Sequence, residues 1–567
     1  ITMDGKPWPS GALTLAWIPE QDVGGKDNKR SDELRIRASN LELAGLEGIR
    51  PLAAKLSPAL GDVWRSTQPS GKINTLALDI PLQAADKTRF QASWSDLAWK
   101  QWKLLPGAEH FSGTLSGSVE NGLLTASMKQ AKMPYETVFR APLEIADGQA
   151  TISWLNNNKG FQLDGRNIDV KAKAVHARGG FRYLQPANDE PWLGILAGIS
   201  TDDGSQAWRY FPENLMGKDL VDYLSGAIQG GEADNATLVY GGNPQLFPYK
   251  HNEGQFEVLV PLRNAKFAFQ PDWPALTNLD IELDFINDGL WMKTDGVNLG
   301  GVRASNLTAV IPDYSKEKLL IDADIKGPGK AVGPYFDETP LKDSLGATLQ
   351  ELQLDGDVNA RLHLDIPLNG ELVTAKGEVT LRNNSLFIKP LDSTLKNLSG
   401  KFSFINSDLQ SEPLTASWFN QPLNVDFSTK EGAKAYQVAV NLNGNWQPAK
   451  TGVLPEAVNE ALSGSVAWDG KVGIDLPYHA GATYNIELNG DLKNVSSHLP
   501  SPLAKPAGEP LAVNVKVDGN LNSFELTGQA GADNHFNSRW LLGQKLTLDR
   551  AIWAADSKTL PPLPEQS

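Results

Sequence analysis

Apolar and polar residues alternate with a period of two along most of this chain. Ile281, Leu283 and Phe285, for example, are separated from one another by single acidic residues. Because successive side chains of a β-strand point to opposite faces, this spacing predicts strands with one buried face and one solvated face. The apolar positions that we expect to share the buried face are Leu76, Leu78, Ile80, Val258, Val260, Leu262, Phe267, Phe269, Ile281, Leu283, Phe285, Leu362, Leu364, Ile366, Phe402, Phe404, Leu423, Val425, Val438, Val440, Leu442, Ile486, Leu488, Val513, Val515 and Val517.

Helical periodicity is confined to short stretches, and residues 214–228, 341–352 and 454–462 are predicted helices. Thr339 and Pro340 supply an N-cap and a first turn for the second of these helices. The apolar stripes of the three helices contain Leu220, Leu224 and Ile228, Leu345 and Leu349, and Val458 and Leu462. The uncharged apolar run 192–196 predicts a further helix, which must be buried or face lipid.

The chain repeats itself with a shift of 119 residues. Residues 262–264 and 381–383 both read Leu-Arg-Asn, and residues 285–287 and 404–406 both read Phe-Ile-Asn, with no gap between them. Such self-similarity predicts a repeated structural unit, here a short helix followed by several strands. We therefore divide the chain into an N-terminal segment, 1–190, and three repeats, 191–310, 311–450 and 451–567.

A sheet that contains so many strands is not expected to stay flat. If one of its faces is apolar, curling places a continuous apolar surface on the concave side. The predicted fold class is therefore all-β with a few short helices, an elongated curled sheet that forms a long apolar groove, and the helices would cap or constrict this groove. A chain of closed sandwiches with filled cores is the alternative that the alternation leaves open.

Composition and charge exclude several classes of function. The net charge is −15 and no run of Lys or Arg stands out, which argues against a nucleic-acid partner. The chain contains no cysteine, so disulfides, thiolate metal sites and a cysteine nucleophile are all excluded. No apolar run approaches the roughly 20 residues that a membrane-spanning helix needs.

Residues that could carry catalysis or bind a cofactor are sparse. The seven histidines are spread singly, and none has a second His at metal-ligand spacing. Residues 327–330, Gly-Pro-Gly-Lys, lack the spacing of a phosphate-binding loop. Carboxylate pairs such as Asp280 and Glu282 fall on the solvated face of a strand. We therefore predict that the chain is not an enzyme and that it binds neither a metal nor a cofactor.

Several short motifs resemble the signature region of the YhdP family of AsmA-like proteins. They lie within residues 208–300 and include Trp208-Arg209-Tyr210-Phe211-Pro212, Leu220-Val221-Asp222-Tyr223-Leu224, Phe247-Pro248-Tyr249 and Trp273-Pro274. A looser echo of this region covers residues 377–427. The rest of the chain has compatible strand patterning but no motif of its own.

The resemblance implies a lipid transfer protein of the periplasm that forms a hydrophobic conduit for phospholipid between the inner and outer membranes. Its partners would be phospholipid acyl chains and the inner membrane, reached through an anchor outside these residues. An alternative from another class stays open, namely a structural periplasmic spacer or an assembly factor with filled cores that binds partner proteins. A lipid carrier is expected to copurify with lipid, whereas a spacer is not.

Overall fold

A computed structural model describes residues 11–22, 32–49, 58–103, 105–501, 503–543 and 545–565, together with the short segments 2–3, 6–7 and 29–30. Residues 50–57 of the predicted N-terminal segment are among those outside this description. Thirty strands form one long, curled antiparallel sheet, and strands account for 61% of the structure. The predicted all-β fold class is therefore confirmed.

The sheet is a meander, because strands that are neighbours in sequence are almost everywhere neighbours in the sheet. The first strand pairs only with Glu33–Glu42 and the last only with Asn534–Leu541 among the described pairings, so the sheet is open at both ends. Its strands are Ala12–Ile18, Glu33–Glu42, Ser70–Pro81, Arg89–Trp99, Ala108–Ser118, Asn121–Met133, Leu143–Asn157, Gly160–Ala172, Val175–Pro186, Trp192–Thr201, Ile228–Gly242, Gln255–Phe267, Leu276–Ile286, Gly289–Leu299, Val302–Ile311, Lys318–Pro328, Leu352–Asp355, Asp357–Pro367, Thr374–Ile388, Ser393–Ile405, Asp408–Ser411, Leu414–Trp418, Gln421–Glu431, Ala435–Trp446, Val466–Pro477, Thr483–Asp491, Ala512–Asn520, Ser523–Ala530, Asn534–Leu541 and Thr547–Ala554.

The connections between strands fall alternately on two long rims of the sheet. The turn rim carries mainly tight turns, such as residues 158–159, 287–288 and 521–522. The opposite rim, which we call the helix rim, carries every α-helix that the structure describes. These helices are Pro58–Thr67, Glu213–Met216, Lys218–Ala227, Val332–Phe336, Ala347–Glu351 and Glu456–Ala461, with the π-helix Lys342–Gly346 before the fifth.

The three helices predicted from periodicity are present but shorter than predicted. Gly217, with φ of 84°, divides the first of them into two helices. The prediction that Thr339 is the N-cap was wrong, because the helix begins after Leu341; the Thr339 hydroxyl instead accepts a hydrogen bond from the Leu341 amide at 3.2 Å. Ile228 and Leu462 lie just beyond their helices, in strands.

The prediction of a helix at residues 192–196 was wrong, because Trp192–Thr201 is a strand. The run shows no period of two because Leu196, on the exposed face of the strand, is apolar as well; it is 65% exposed. Ile195 and Ile199 are β-branched and Gly194 and Gly198 are poor helix formers, so the local propensities favour the strand.

The 119-residue repeat is visible in the backbone conformation. Three pairs of asparagines at this shift all have a left-handed φ between 50° and 54°, namely Asn264 and Asn383, Asn278 and Asn397, and Asn287 and Asn406. Asn287 and Asn406 also make equivalent hydrogen bonds. The side-chain oxygen of Asn287 accepts from the Phe256 amide at 3.0 Å, and that of Asn406 accepts from the Ala375 amide at 2.9 Å. Phe285 and Phe404 thus lie on equivalent strands of one sheet, as predicted. Hydrogen bonding runs on through the proposed boundaries of the repeats, and that division stays a prediction.

β-Bulges bend the first part of the sheet along a line close to the helix rim. Register shifts occur toward this rim in strand pairs from Ser70 to Ser417. The described pairs between Gln421 and Ser538 have none. A bulge adds a residue to one strand and increases the local bend and twist. The curvature of the sheet therefore differs between its first and last parts.

Candidate functional site: the apolar concave face

One face of the sheet is apolar from the first strand to the last. Leu283 pairs with Val260 on one side and with Met292 on the other. Continuing this pairing strand by strand leads to Leu15 at one end of the meander and to Trp553 at the other. Since paired residues point to the same side of a sheet, the apolar positions of all thirty strands form one surface.

Charged side chains are almost excluded from this face. Among the described strand residues with regular cross-strand pairing, Glu431 is the single charged residue on it. Glu431 lies at the turn rim, where its carboxylate accepts a hydrogen bond from the Ser407 hydroxyl. The opposite face carries the ion pairs, such as Arg182 with Asp164 at 2.6 Å. A hydrocarbon chain could therefore follow the apolar face without burying an unpaired charge.

Aromatic rings lie across glycines on the apolar face. Phe90 and Trp154 stack at 6.0 Å between ring centroids although two strands separate them, and Gly117 and Gly122 occupy those two strands. The direct cross-strand aromatic–glycine pairs on this face in the described strands are Phe90–Gly117, Trp94–Gly113, Trp154–Gly122, Phe181–Gly165, Phe404–Gly377, Trp468–Gly444, Trp468–Gly490, Tyr484–Gly519, Phe524–Gly519 and Phe536–Gly528.

Contacts across intervening strands identify the apolar face as the concave one. Phe402 and Phe427 approach to 5.5 Å between ring centroids across the strands that separate them. Neighbouring strands are about 4.8 Å apart. Side chains on strands that are not adjacent therefore meet only where they converge, as on a concave face, or where they lie along the face. The glycines let the rings lie flat against the backbone, and the concave space stays open above them.

Gly165→Ala should therefore destabilise the protein, whereas Gly198→Ala should not. A Cβ at Gly165 would lie 2.1 Å from Phe181 Cε1, but at Gly198 it would meet nothing within 4 Å. Forcing the ring to move is expected to cost about 1–3 kcal/mol, against a change within about 0.5 kcal/mol at Gly198. Urea unfolding midpoints of the two variants would measure the difference. Equal midpoints would contradict the account of flat rings over glycine.

The concave space is filled in the middle of the sheet. Leu220, Val221 and Leu224 of the helix Lys218–Ala227 have no exposed surface and pack in one cluster with Leu262 and Leu283. A second cluster extends this filled part to residue 472. At these strands the sheet closes on side chains of its own rather than leaving a free surface.

Toward both ends of the sheet the apolar face is more open. Leu15 and Trp17 on the first strand are 62% and 64% exposed, and Trp553 on the last strand is 50% exposed. The whole chain of 61.5 kDa exposes 31925 Å². A compact protein of this mass would expose only about 20,000 Å². An extended sheet with apolar surface left open accounts for the excess.

Every predicted lining residue lies on a strand of the concave face except Phe269, which follows the strand Gln255–Phe267 and packs against the central cluster. The buried ones are Leu262, Phe267, Ile281, Leu283, Ile366, Leu423, Val425, Val438 and Leu442. The half-buried ones are Leu76, Leu78, Ile80, Val258, Val260, Phe285, Leu362, Leu364, Phe402, Phe404, Val440, Ile486, Leu488, Val513, Val515 and Val517. Of the predicted capping residues, Leu220, Leu224, Ile228 and Leu345 are buried and Leu349, Val458 and Leu462 are half-buried.

Sequence reasoning missed the concave residues between Arg89 and Ile199, such as Leu124, Ile152 and Ile195. Their strands contain glycine and alanine at concave positions, which weakens the alternation of large apolar residues. The recurrence of glycines on one strand with aromatic residues on a neighbouring strand is the signal that could have found several of them.

Two segments fold over the concave face at the strand Ile228–Gly242. The crossing segment, residues 204–227, precedes this strand at the helix rim, and the rim loop, residues 243–254, follows it at the turn rim. Phe211 of the crossing segment lies 6.1 Å from Phe285, between ring centroids. Tyr249 of the rim loop is fully buried. The concave space is thus occupied from both rims at one strand.

Metal sites and membrane-spanning helices are not found in the described ranges. No group of three or more His, Asp or Glu side chains there is placed to hold a metal ion. None of the helices described is long and apolar enough to cross a membrane.

Comparison with models of known protein families identifies a match. A family model described as YhdP protein matches residues 1–567 of the chain. No solved structure matches it significantly.

Proposed function

Because this chain belongs to the YhdP family along its whole length, we propose that it is a lipid transfer protein whose concave face is a conduit for phospholipid acyl chains. The proposal places it in the periplasm, anchored in the inner membrane by a segment outside these residues. Phospholipid would move along it between the inner and outer membranes. It has no catalytic step, and neither a metal nor a cofactor takes part.

The observation that carries the proposal is the unbroken apolar row from Leu15 to Trp553. Moving an acyl chain through water exposes its methylene groups, each of which costs about 0.8 kcal/mol when it is removed from an apolar environment. Along a continuous apolar strip, the free energy of an acyl chain is the same at every strand. No free-energy barrier then opposes sliding from one strand to the next. A charged side chain in the row would raise the barrier, and the regularly paired strand residues that the structure describes include none on this face away from the rim.

The filled middle of the sheet favours a second candidate function, the periplasmic spacer. Leu290, Ile311 and Leu319 are fully buried on the concave face, as they would be in an ordinary core. A spacer would need this core to be permanent, because its task is to hold a fixed length. A conduit would need the same residues to part when an acyl chain passes.

Native mass spectrometry of the purified chain separates the two candidates. A conduit is expected to retain phospholipid after purification and to take it up from vesicles of phosphatidylethanolamine containing phosphatidylglycerol. Photocrosslinking probes at Val515, on the concave face, and at Lys516, on the convex face, provide the matched control. Crosslinking to phospholipid is expected from Val515 alone. If neither bound lipid nor a difference between the two probes is detected, the spacer becomes the better account.

A further inference from the structure

The crossing segment is held by different contacts on its two sides. Toward the strands that follow it, its contacts are apolar, since Leu220 and Leu224 pack against the cluster that contains Leu262 and Leu283. Tyr223 adds one hydrogen bond there, from its hydroxyl to the Phe269 carbonyl at 3.0 Å. This side is an extension of the central core.

Toward the strands that precede it, the crossing segment is held by polar contacts. Arg140, in the connection after the strand Asn121–Met133, forms ion pairs with Glu213 and with Asp222, the second at 2.6 Å. It also donates to the Lys218 carbonyl at 3.3 Å. We call these contacts the Arg140 latch.

Two further polar contacts support the latch. Arg209 pairs with Glu144 at 3.2 Å, and the Tyr210 hydroxyl donates to the Lys173 carbonyl at 2.6 Å. The ion pairs of the Arg140 latch and the ion pair between Arg209 and Glu144 are partly exposed to solvent. Exposed ion pairs can exchange their partners for water at little cost. The polar contacts that hold this side of the segment can therefore break at little cost.

The backbone of the crossing segment contains a hinge between its two helices. Gly217 has φ of 84°, a conformation that favours glycine, and a Cβ there would meet nothing within 4 Å. Because glycine tolerates a wide range of backbone dihedrals, the two helices can change their relative orientation at Gly217. The latch residues Glu213 and Asp222 lie on opposite sides of the hinge.

The rim loop contacts the strand Ile228–Gly242 from the rim opposite to the crossing segment. Phe247 and Tyr249 of the loop contact Tyr240 at 5.7 and 5.6 Å between ring centroids, and Phe247 contacts Phe256 at 5.4 Å. Tyr240 and Phe256 are concave residues. The concave space therefore narrows from both rims at the strand Ile228–Gly242, and strands with half-buried apolar faces lie before it and after the filled middle.

We infer that the crossing segment is a gate that divides the concave face into an N-terminal and a C-terminal part and that opens when the Arg140 latch releases. The inference rests on the proposed function, because a gate has a role only if lipid passes along the face. In the closed state Phe211 and the apolar stripe of Lys218–Ala227 occupy the path. Release of the latch frees the segment to turn about Gly217, and acyl chains pass.

A disulfide can lock the gate, because the chain contains no cysteine of its own. The Glu213 amide donates to the Val138 carbonyl at 3.1 Å, and a backbone contact of this kind brings two Cα atoms within the span of a disulfide. The double variant Val138→Cys, Glu213→Cys is oxidised in one sample and reduced in the other. Photocrosslinking probes at Leu124 and Val515 report phospholipid on the concave face before and after the gate.

With the gate locked, crosslinking to phospholipid is expected to persist at the probe on the loading side and to fall at the other by roughly tenfold, the effect of a barrier raised by 1.4 kcal/mol. Reduction should restore it. Equal crosslinking at both probes in the oxidised and reduced samples would overturn the gate and leave the conduit intact. If the reduced sample shows no crosslinking at either probe, the proposed function itself fails.

Arg140→Ala tests the same gate without a disulfide. It removes the latch but no side chain from the concave space, so passage between the two probe positions should become roughly tenfold faster if one charge-assisted hydrogen bond limits opening. Arg178→Ala, which breaks an ion pair with Asp169 on the convex face, is the matched control. Equal passage rates for the two variants would contradict the latch.

Discussion

Ile195→Asp is expected to slow phospholipid transfer at least tenfold, whereas Leu196→Asp should leave it nearly unchanged. The two residues are neighbours on one strand, but Ile195 faces the concave side and Leu196 is exposed on the convex side. An ionised carboxylate pressed against a hydrocarbon chain loses several kcal/mol of hydration, and each 1.4 kcal/mol is a factor of ten.

The measurement is phospholipid crosslinking from a probe at Val515, together with growth of a strain that lacks the protein and carries each variant. Both variants replace a large aliphatic residue by Asp in the same strand, so they share any effect on strand propensity. Protease resistance confirms that they are folded to the same extent. If Ile195→Asp transfers lipid as well as Leu196→Asp does, acyl chains do not follow the concave face.

Leu283→Asp is expected to unfold the middle of the sheet rather than to report on transfer. Leu283 is 3% exposed and lies within the cluster that the helix Lys218–Ala227 covers. Removing its side chain alone would cost about 2–5 kcal/mol, and burying an unpaired carboxylate in its place adds several more. Urea unfolding followed by hydrogen exchange of the strands from Gln255 to Leu299 would locate the loss.

Asp284→Leu, at the neighbouring position, should have the opposite effect. Asp284 faces the convex side, and its Oδ1 is buried without a hydrogen-bond partner among the described residues. Burial raises the pKa of this carboxyl, and Glu257 and Glu282 raise it further. Because its folded pKa is raised, ionised Asp284 destabilises the fold at neutral pH, and this effect disappears below its unfolded pKa. Asp284→Leu should therefore stabilise the protein at pH 7 and not at low pH, and a loss of stability at pH 7 would contradict this account.

Where large apolar residues alternate, the period of two was enough to predict a strand and to assign its apolar residues to one face. Leu76, Leu283 and Val515 are hundreds of residues apart, yet alternation alone places all three on the concave side. This works because the side chains of a strand must alternate, whatever the curvature of the sheet. The 119-residue repeat was predictable for a similar reason, since its asparagines with a left-handed φ occur at fixed positions in the unit.

The depth of burial could not be predicted from alternation. Leu283 is buried and Val515 half-buried, although both follow the same pattern, because burial depends on what covers the concave face. That cover comes from Phe211 and the helix Lys218–Ala227, which belong to a connection rather than to a strand. The strand Trp192–Thr201 was mistaken for a helix because convex Leu196 is also apolar, so its period was hidden.

The meander topology has a consequence for how this chain acquires its structure. Almost every strand pairs with the strands next to it in sequence, so few contacts must wait for distant parts of the chain. Folding can then begin at one end and proceed strand by strand as the polypeptide becomes available, without long loops having to close first. The free energy of folding is then approximately a sum of contributions from neighbouring strands along the molecule, as in repeat proteins. Local opening of a few strands therefore need not melt the remainder, and a long sheet can yield at one place while it stays folded elsewhere.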